Sequence, residues 1–129
     1  MDEKLLREMR KEWPESWMEG RADLELGRRL VEEFVPFAEF LHQRGYATST
    51  LRRHVNNLWL LGGELVERAN RDSSLRALPA RALIERYADE SGGPLLGHHE
   101  TEADQRSLDA TSRLLWKFLT GRAKPRGNP

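Results

Sequence analysis

The stretch GYATSTLRRHVNNLWLL (residues 45–61) decides the fold, because it joins two long helical patterns through a short turn. Gly45 favours the end of one helix, since glycine adopts the left-handed conformation at little cost. Thr48 or Ser49 then opens the next helix, because hydroxyl side chains favour helix N-termini. Two arginines stand in the first turn of that helix, and a strongly apolar run follows them. The stretch therefore predicts two packed helices at the centre of an all-α domain.

The helix before the turn is predicted from a stripe of apolar residues at helical spacing. The stripe begins at Leu26 and ends at Leu41, and it indicates one buried face. Asp23 is the expected N-cap, because its carboxylate can accept from free backbone amides. Pro36 is expected to kink this helix or to split it, since proline removes one donor and clashes with the preceding turn.

The helix after the turn is expected to run to about residue 69 and to lie at the centre of the bundle. Its glycine pair, Gly62 and Gly63, lowers helix stability and favours a close helix crossing over a break. Two more helices are expected, a short one over residues 79–89 and a final one over residues 101–119. No strand pattern or internal repeat is present in the sequence.

Residues 1–22 are predicted to form an N-terminal helical arm. Its helix is expected to stop at Pro14. Three large apolar residues of this polar segment are candidates for a partner surface, with the core of the domain as the alternative: Trp13, Trp17 and Met18. The predicted organisation is an arm at 1–22, a helical bundle at 23–120 and a disordered basic tail at 121–129. The fold class is all-α, a four-to-five-helix orthogonal bundle with this arm.

The composition limits the class of protein. The chain has 129 residues, which suits one domain with one core. It has no cysteine, so disulfides, thiolate catalysis and cysteine-ligated zinc are excluded. It has no apolar run near the roughly 20 residues of a membrane span, and its first residues do not resemble a signal peptide. We expect a cytoplasmic protein that makes no membrane contact.

Four segments resemble one known family: FAEFL (37–41), GYATST (45–50), HVNNL (54–58) and ATSRLLWKFL (110–119). Together they make the run from about Leu24 to Leu119 similar to the core-binding domain of tyrosine recombinases and phage integrases. The resemblance implies a SAM-like helical bundle that contacts DNA through basic helix faces. The arginine, histidine pair and nucleophilic tyrosine of the family's catalytic domain have no counterpart, and neither Tyr46 nor Tyr87 has such a setting. The resemblance therefore implies a stand-alone domain without strand cleavage.

Two basic sets are the candidate contacts with double-stranded DNA. The first lies at the start of the second long helix, where backbone donors and positive charge converge: Thr50, Arg52, Arg53 and Asn56. The second combines one face of the last helix with the tail: Arg106, Arg113, Lys117, Arg122 and Lys124. The alternative for the second set is a solvated face and tail. The alternative for the first is a solvated helix turn whose arginines pair with Glu32, Glu33 or Glu39.

The sequence contains no catalytic signature. The run His98-His99-Glu100 lacks a defined ligand spacing, so no metal site and no cofactor are predicted. The leading hypothesis is a non-enzymatic DNA-binding or DNA-associated helical module. The alternative is a protein–protein interaction module, a homodimer or an adaptor for a partner protein, with no nucleic-acid contact.

Overall fold

The computed structural model describes residues 1–97 and 100–123 of the chain, and these residues form helices and no strand. The arm contains α1 (Glu3–Arg7), a π-helical segment (Glu8–Glu12) and α2 (Trp13–Trp17). The bundle contains α3 (Arg21–Gln43), α4 (Thr48–Arg71), a 3-10 segment (Ser73–Ala77), α5 (Ala80–Tyr87) and α6 (Glu102–Leu119). The all-α class is confirmed. None of the described helices combines the length and the apolar character needed to cross a membrane.

The two long helices on either side of Gly45 form the centre of the core, as the sequence predicts. The whole predicted stripe of α3 is buried, including Leu26, Phe34 and Leu41. In α4 the buried face is made by residues such as Leu58 and Leu65. Gly45 itself has a φ of 75°, the left-handed conformation that glycine tolerates best. One continuous hydrophobic cluster joins both helices to the arm, α5 and α6.

The prediction for Pro14 needs correction, and one of the two alternatives for Pro36, a split helix, is excluded. The arm does not stop at Pro14: α2 continues to Trp17, and Pro14 is among its first residues, where no backbone donor is needed. The π-helical segment ends at Glu12, two residues before this proline. Pro36 does not split α3, which is continuous from Arg21 to Gln43. Pro36 and the residue four before it, Glu32, are both exposed, so the missing backbone hydrogen bond lies on the solvent side of the helix.

The predicted helix starts also need correction. Gly20, not Asp23, is the N-cap of α3, and Asp23 lies in its first turn, where its carboxylate accepts from the backbone N–H groups of Glu19 and Gly20. The start of α4 at Thr48 is one of the two predicted starts, but its N-cap is Ala47, which makes no side-chain cap hydrogen bond. Pro79 is likewise the N-cap of α5, not its first helical residue.

Asp23 joins the arm to the far end of α4. Its carboxylate accepts from Asn70 Nδ2 at 3.2 Å and from Arg76 Nη2 at 2.8 Å, and its side chain is 2% exposed. Burial alone would raise its pKa, but the hydrogen bonds from Glu19 N–H, Arg76 and Asn70 outweigh burial and hold the pKa below its ordinary value. The carboxylate is therefore held ionised in a satisfied network.

The glycine pair of α4 is the place where the arm docks. The Trp17 ring lies on Gly62, and a Cβ atom added there would overlap the ring. The indole N–H of Trp17 donates to the carbonyl of Trp59 at 3.1 Å. The close helix approach predicted from the glycine pair is therefore confirmed, and its partner is the arm.

A buried polar seam holds α4 against α6. His54 Nδ1 lies 2.8 Å from Thr111 Oγ1, and Asn57 Nδ2 donates to Ser107 Oγ and Thr111 Oγ1 at 2.9 Å each. Burial lowers the pKa of His54, and the neighbouring positive charge of Arg53 lowers it further. The neutral imidazole is therefore the form that fits this seam.

We predict that Gly62→Ala destabilises the protein by about 1–3 kcal/mol, because the new methyl group forces the Trp17 ring away from α4. Alanine is more favourable than glycine in a helix interior by roughly 1 kcal/mol. Helix propensity alone would therefore stabilise this variant, so a loss of stability must come from the contact with Trp17. Chemical denaturation of Gly62→Ala, Trp17→Ala and the double variant gives the coupling. In the Trp17→Ala background the substitution should be neutral or stabilising; an equal loss in both backgrounds would contradict the contact.

We also predict that stability decreases on acidification through the titration of His54. The unfolded chain binds a proton near the ordinary pKa of 6.5, whereas the folded protein binds it only at lower pH. The free energy of unfolding should therefore fall as the pH is lowered through 6.5, and level off below the folded pKa. Denaturation between pH 5 and pH 8 (roughly the range in which histidine titrates) measures the slope. The variant His54→Gln should lose the dependence of the free energy of unfolding on pH in this range. The variant His42→Gln, at an exposed position, should keep it. The opposite result would exclude the seam as the source of the dependence.

Candidate functional site

The first two turns of α4 present the predicted basic residues to solvent. Arg52 and Arg53 are exposed, and within residues 1–97 and 100–123 neither has a carboxylate within ion-pair distance. The alternative pairing does not form, because Glu32 pairs with Arg10 at 3.1 Å and Glu33 with Arg81 at 3.3 Å. Both guanidinium groups are therefore available to a partner molecule.

The predicted set nevertheless divides between two sides of α4. Arg52 precedes His54 by two residues, which is about 200° of rotation around a helix, so it lies opposite the seam with α6. Asn56 shares the side of Arg52, and both line a groove beside the arm. Asn57, the next residue in the chain, is instead buried in the seam. Arg53 is exposed between these two sides, and Thr50 is half-buried.

The basic residues of α6 lie together on its outer face and are partly engaged with neighbours. Arg106 lies 3.9 Å from Glu102, and Arg113 donates to the carbonyl of Ser91 at 3.3 Å. Lys117 is exposed, and the Arg122 guanidinium lies 4.8 Å from the centre of the Trp116 ring. Because α6 packs on the side of α4 away from Arg52, the two predicted sets do not form one surface. Lys124 and the His98–His99 pair lie outside the described residues.

The three predicted partner residues have different settings. Trp13 and Trp17 are 5% and 8% exposed and belong to the protein's own core, so each leaves only a small part of its ring at the surface. The burial of Trp17 follows from the glycine pair of α4, which lets its ring approach the backbone. Met18 is 40% exposed, and among the three only its side chain is available to a partner.

The structure adds a groove that the sequence does not reveal. It has a volume of about 730 Å³ and lies between the arm, the second half of α3 and the start of α4. Its apolar lining comes from all three elements: Leu5, Trp13, Ala38, Leu51, Val55 and Trp59. Leu51 and Leu5 are half-buried, so part of this apolar surface remains in contact with solvent.

Trp59 marks one end of the groove and is the largest exposed apolar side chain beside it. It lies in the apolar run of α4, but its side chain is 41% exposed. Its indole N–H donates to Ser16 Oγ at 2.9 Å, and Ser16 in turn donates to the carbonyl of Trp13. The ring is therefore held in one orientation by the arm while part of it faces solvent.

A second, shallower depression of about 310 Å³ continues from the groove and shares Ser16 and Trp59 with it. We call the two depressions together the trough. Its ionisable side chains are mainly acidic: Asp2, Glu8, Glu12, Glu19, Glu64 and Glu67, against Lys4 and Arg52, with His42 also present. Burial raises the pKa of Glu64, and the nearby charge of Glu67 raises it further. The trough is therefore apolar in its lining and acidic in its charge.

Charge patterning along the arm was the one available signal for this site. Glu8 and Glu12, four residues apart, lie on the groove side, whereas Arg7 and Lys11, also four apart, line a different depression with Arg28. Such spacing can be read from a helical sequence, but which side faces α4 depends on how Trp17 docks. Within the described residues, no group of three or more histidine and carboxylate side chains could hold a metal ion.

Searches of protein-family models, of curated proteins and of solved structures found no match to this chain.

Proposed function

We propose that this protein is a non-enzymatic interaction module that binds an amphipathic helix of a partner protein in the groove. The observation that carries the proposal is the exposed apolar surface of the groove, with Leu51 on one wall and Trp59 at one end. Apolar surface of this kind in a concave site marks binding sites for ligands or proteins. The resemblance to a recombinase core-binding domain and its SAM-like arrangement remain proposals beside this one.

The shape of the groove suits a helix. Its walls are helices, α4 on one side and the arm on the other, and its apolar lining is interrupted by polar side chains such as Ser16 and Asn56. Amphipathic helices bind such grooves through apolar anchors at i, i+3, i+4 and i+7. A volume of about 730 Å³ accommodates a few anchor side chains, not a whole domain.

The partner is a different protein, not a second copy of this chain. Filling the groove requires an apolar stripe on the incoming helix. The exposed large apolar side chains of the described residues are Met18, Trp59 and Leu95, and they do not form a stripe on one helix. The described part of another copy therefore offers no helix that fits.

The test uses a synthetic 15-residue helical peptide with leucines at i, i+3, i+4, i+7 and i+11 and glutamines on both flanks. We expect it to bind and to shift the tryptophan emission to shorter wavelength, because it covers the exposed ring of Trp59. Leu51→Asp should weaken binding at least about tenfold, since it places a charge in the apolar lining. Titration followed by fluorescence and by calorimetry measures both.

The matched control is Ala110→Asp, which adds the same charge at an exposed position of α6. Circular dichroism verifies that both variants remain folded. Equal peptide affinity for Leu51→Asp and for the control, or no binding to the wild-type protein, would contradict the proposal.

DNA association is the second candidate function, and it is supported by exposed cations on α4 and α6. Arg53 is exposed and has no carboxylate within ion-pair distance among the described residues, and Lys117 is exposed on α6. Neutralising phosphates releases counterions, so binding of this kind weakens as salt increases. The net charge of zero and the acidic residues around Arg52 act against it.

If DNA is bound through α4, replacing Arg52 and Arg53 together by alanine should weaken binding to a duplex without unfolding the protein. Two lost phosphate contacts correspond to a decrease of about 1.8 in the slope of log affinity against log salt. Fluorescence anisotropy with a labelled duplex measures the slope at about 50 and 200 mM salt, between which the Debye length shortens roughly twofold. Undetectable wild-type binding at the lower salt, or an unchanged slope in the variant, would exclude this site.

A further inference from the structure

We infer that the helix bound in the groove is a basic one, with lysine or arginine side chains along the flank that faces the arm. This inference rests on the proposed function and names the chemistry of its partner. It follows from the distribution of charge around the trough. A partner helix that offered only an apolar stripe would leave these charges without a role.

Carboxylates outnumber cations along the trough. Six carboxylates and two cationic side chains line it, together with His42 and with Met1, which carries the N-terminal amino group. Two of the carboxylates already have an arginine neighbour one turn along α4, because Glu67 pairs with Arg71 and Glu64 lies 3.8 Å from Arg68. The remaining negative charge comes mainly from the arm.

Four arm carboxylates line the trough and have no ion-pair partner among the described residues: Asp2, Glu8, Glu12 and Glu19. Glu8 and Glu12 lie one helical turn apart on the groove wall, and Glu19 lines the shallower depression beyond Trp59. Cations at i and i+4 of a bound helix have the same spacing of about one turn, so they could face Glu8 and Glu12 together. The apolar lining of the groove therefore favours an apolar stripe on the bound helix. The arm favours a row of positive charges beside that stripe.

Two further groups agree with a basic partner. Trp59 is partly exposed where the two depressions meet, and the face of an indole ring attracts lysine and arginine. Glu64, whose pKa is raised by burial and by Glu67, would gain from an additional cation nearby. Arg52 lies on the opposite wall and repels positive charge only on the α4 side of the groove. The positive side chains of the bound helix are therefore expected on the flank that faces the arm.

The test compares three peptides that share the leucine stripe of the neutral peptide and differ only on the flank, which carries lysine, glutamine or glutamate. We expect the lysine peptide to bind about tenfold more tightly than the glutamate peptide at low salt, since a few exposed pairs act together. The ratio should approach one at about 1 M salt, where charges are screened beyond roughly 3 Å. Calorimetric titration measures each affinity.

The double variant Glu8→Lys/Glu12→Lys should reverse the preference in favour of the glutamate peptide. Its control, Glu25→Lys/Glu90→Lys, makes the same change in charge at exposed positions outside the trough and should keep the lysine preference. If the neutral peptide binds but the lysine and glutamate peptides bind equally, or the control variant also reverses the preference, this inference is wrong and the proposed function stands. If none of the three peptides binds, the proposed function fails and the inference fails with it.

Discussion

The contact between the Trp17 ring and Gly62 is the constraint on which the rest of the structure depends. No side chain on Gly62 separates the ring from the backbone of α4, and the indole N–H is satisfied by the carbonyl of Trp59. These two interactions fix the arm along α4. The helix could gain stability from alanine at this position, but only by losing the space that the ring occupies. The glycine is therefore explained by packing, not by flexibility.

Docking of the arm has two consequences for the surface. It leaves a gap between the arm and the first turns of α4, which is the groove, and it turns one side of the arm toward that gap. The side that faces the groove carries Glu8 and Glu12, while Arg7 and Lys11 face the other way. A segment with mixed charge in sequence thereby becomes an acidic wall on one side and a basic surface on the other. Arg52, which in sequence suggests a phosphate contact, lies across the groove from the acidic wall.

The sequence predicts the helices of the bundle well, because their signals are local. Apolar spacing defines the buried face of α3, glycine at position 45 ends it, and the same spacing defines α4. The expectations that fail at the arm concern exact starts and stops. The π-helical segment before Pro14 and the use of Gly20 as an N-cap both depend on how the chain enters its neighbours.

The candidate site is predicted less well, because it exists only between elements. The position of Trp59 in an apolar run indicates a core residue. Its side chain is nevertheless 41% exposed where the arm lies beside α4. The sequence also groups Arg52, Arg53 and Asn56 by proximity in the chain, whereas the helix places Arg53 on a different side from the other two. Trp13 and Trp17 could belong to a partner surface or to the core, and only the tertiary contacts distinguish these.

The position of the arm can be measured most directly by nuclear Overhauser effects in solution. An arm docked on α4 gives strong cross-peaks between the outer ring protons of Trp17 and the α-protons of Gly62, together with a protected indole N–H that donates to Trp59. Absence of these cross-peaks, with rapid exchange of the Trp17 indole proton, would show that the arm does not dock on α4 and that the groove does not form.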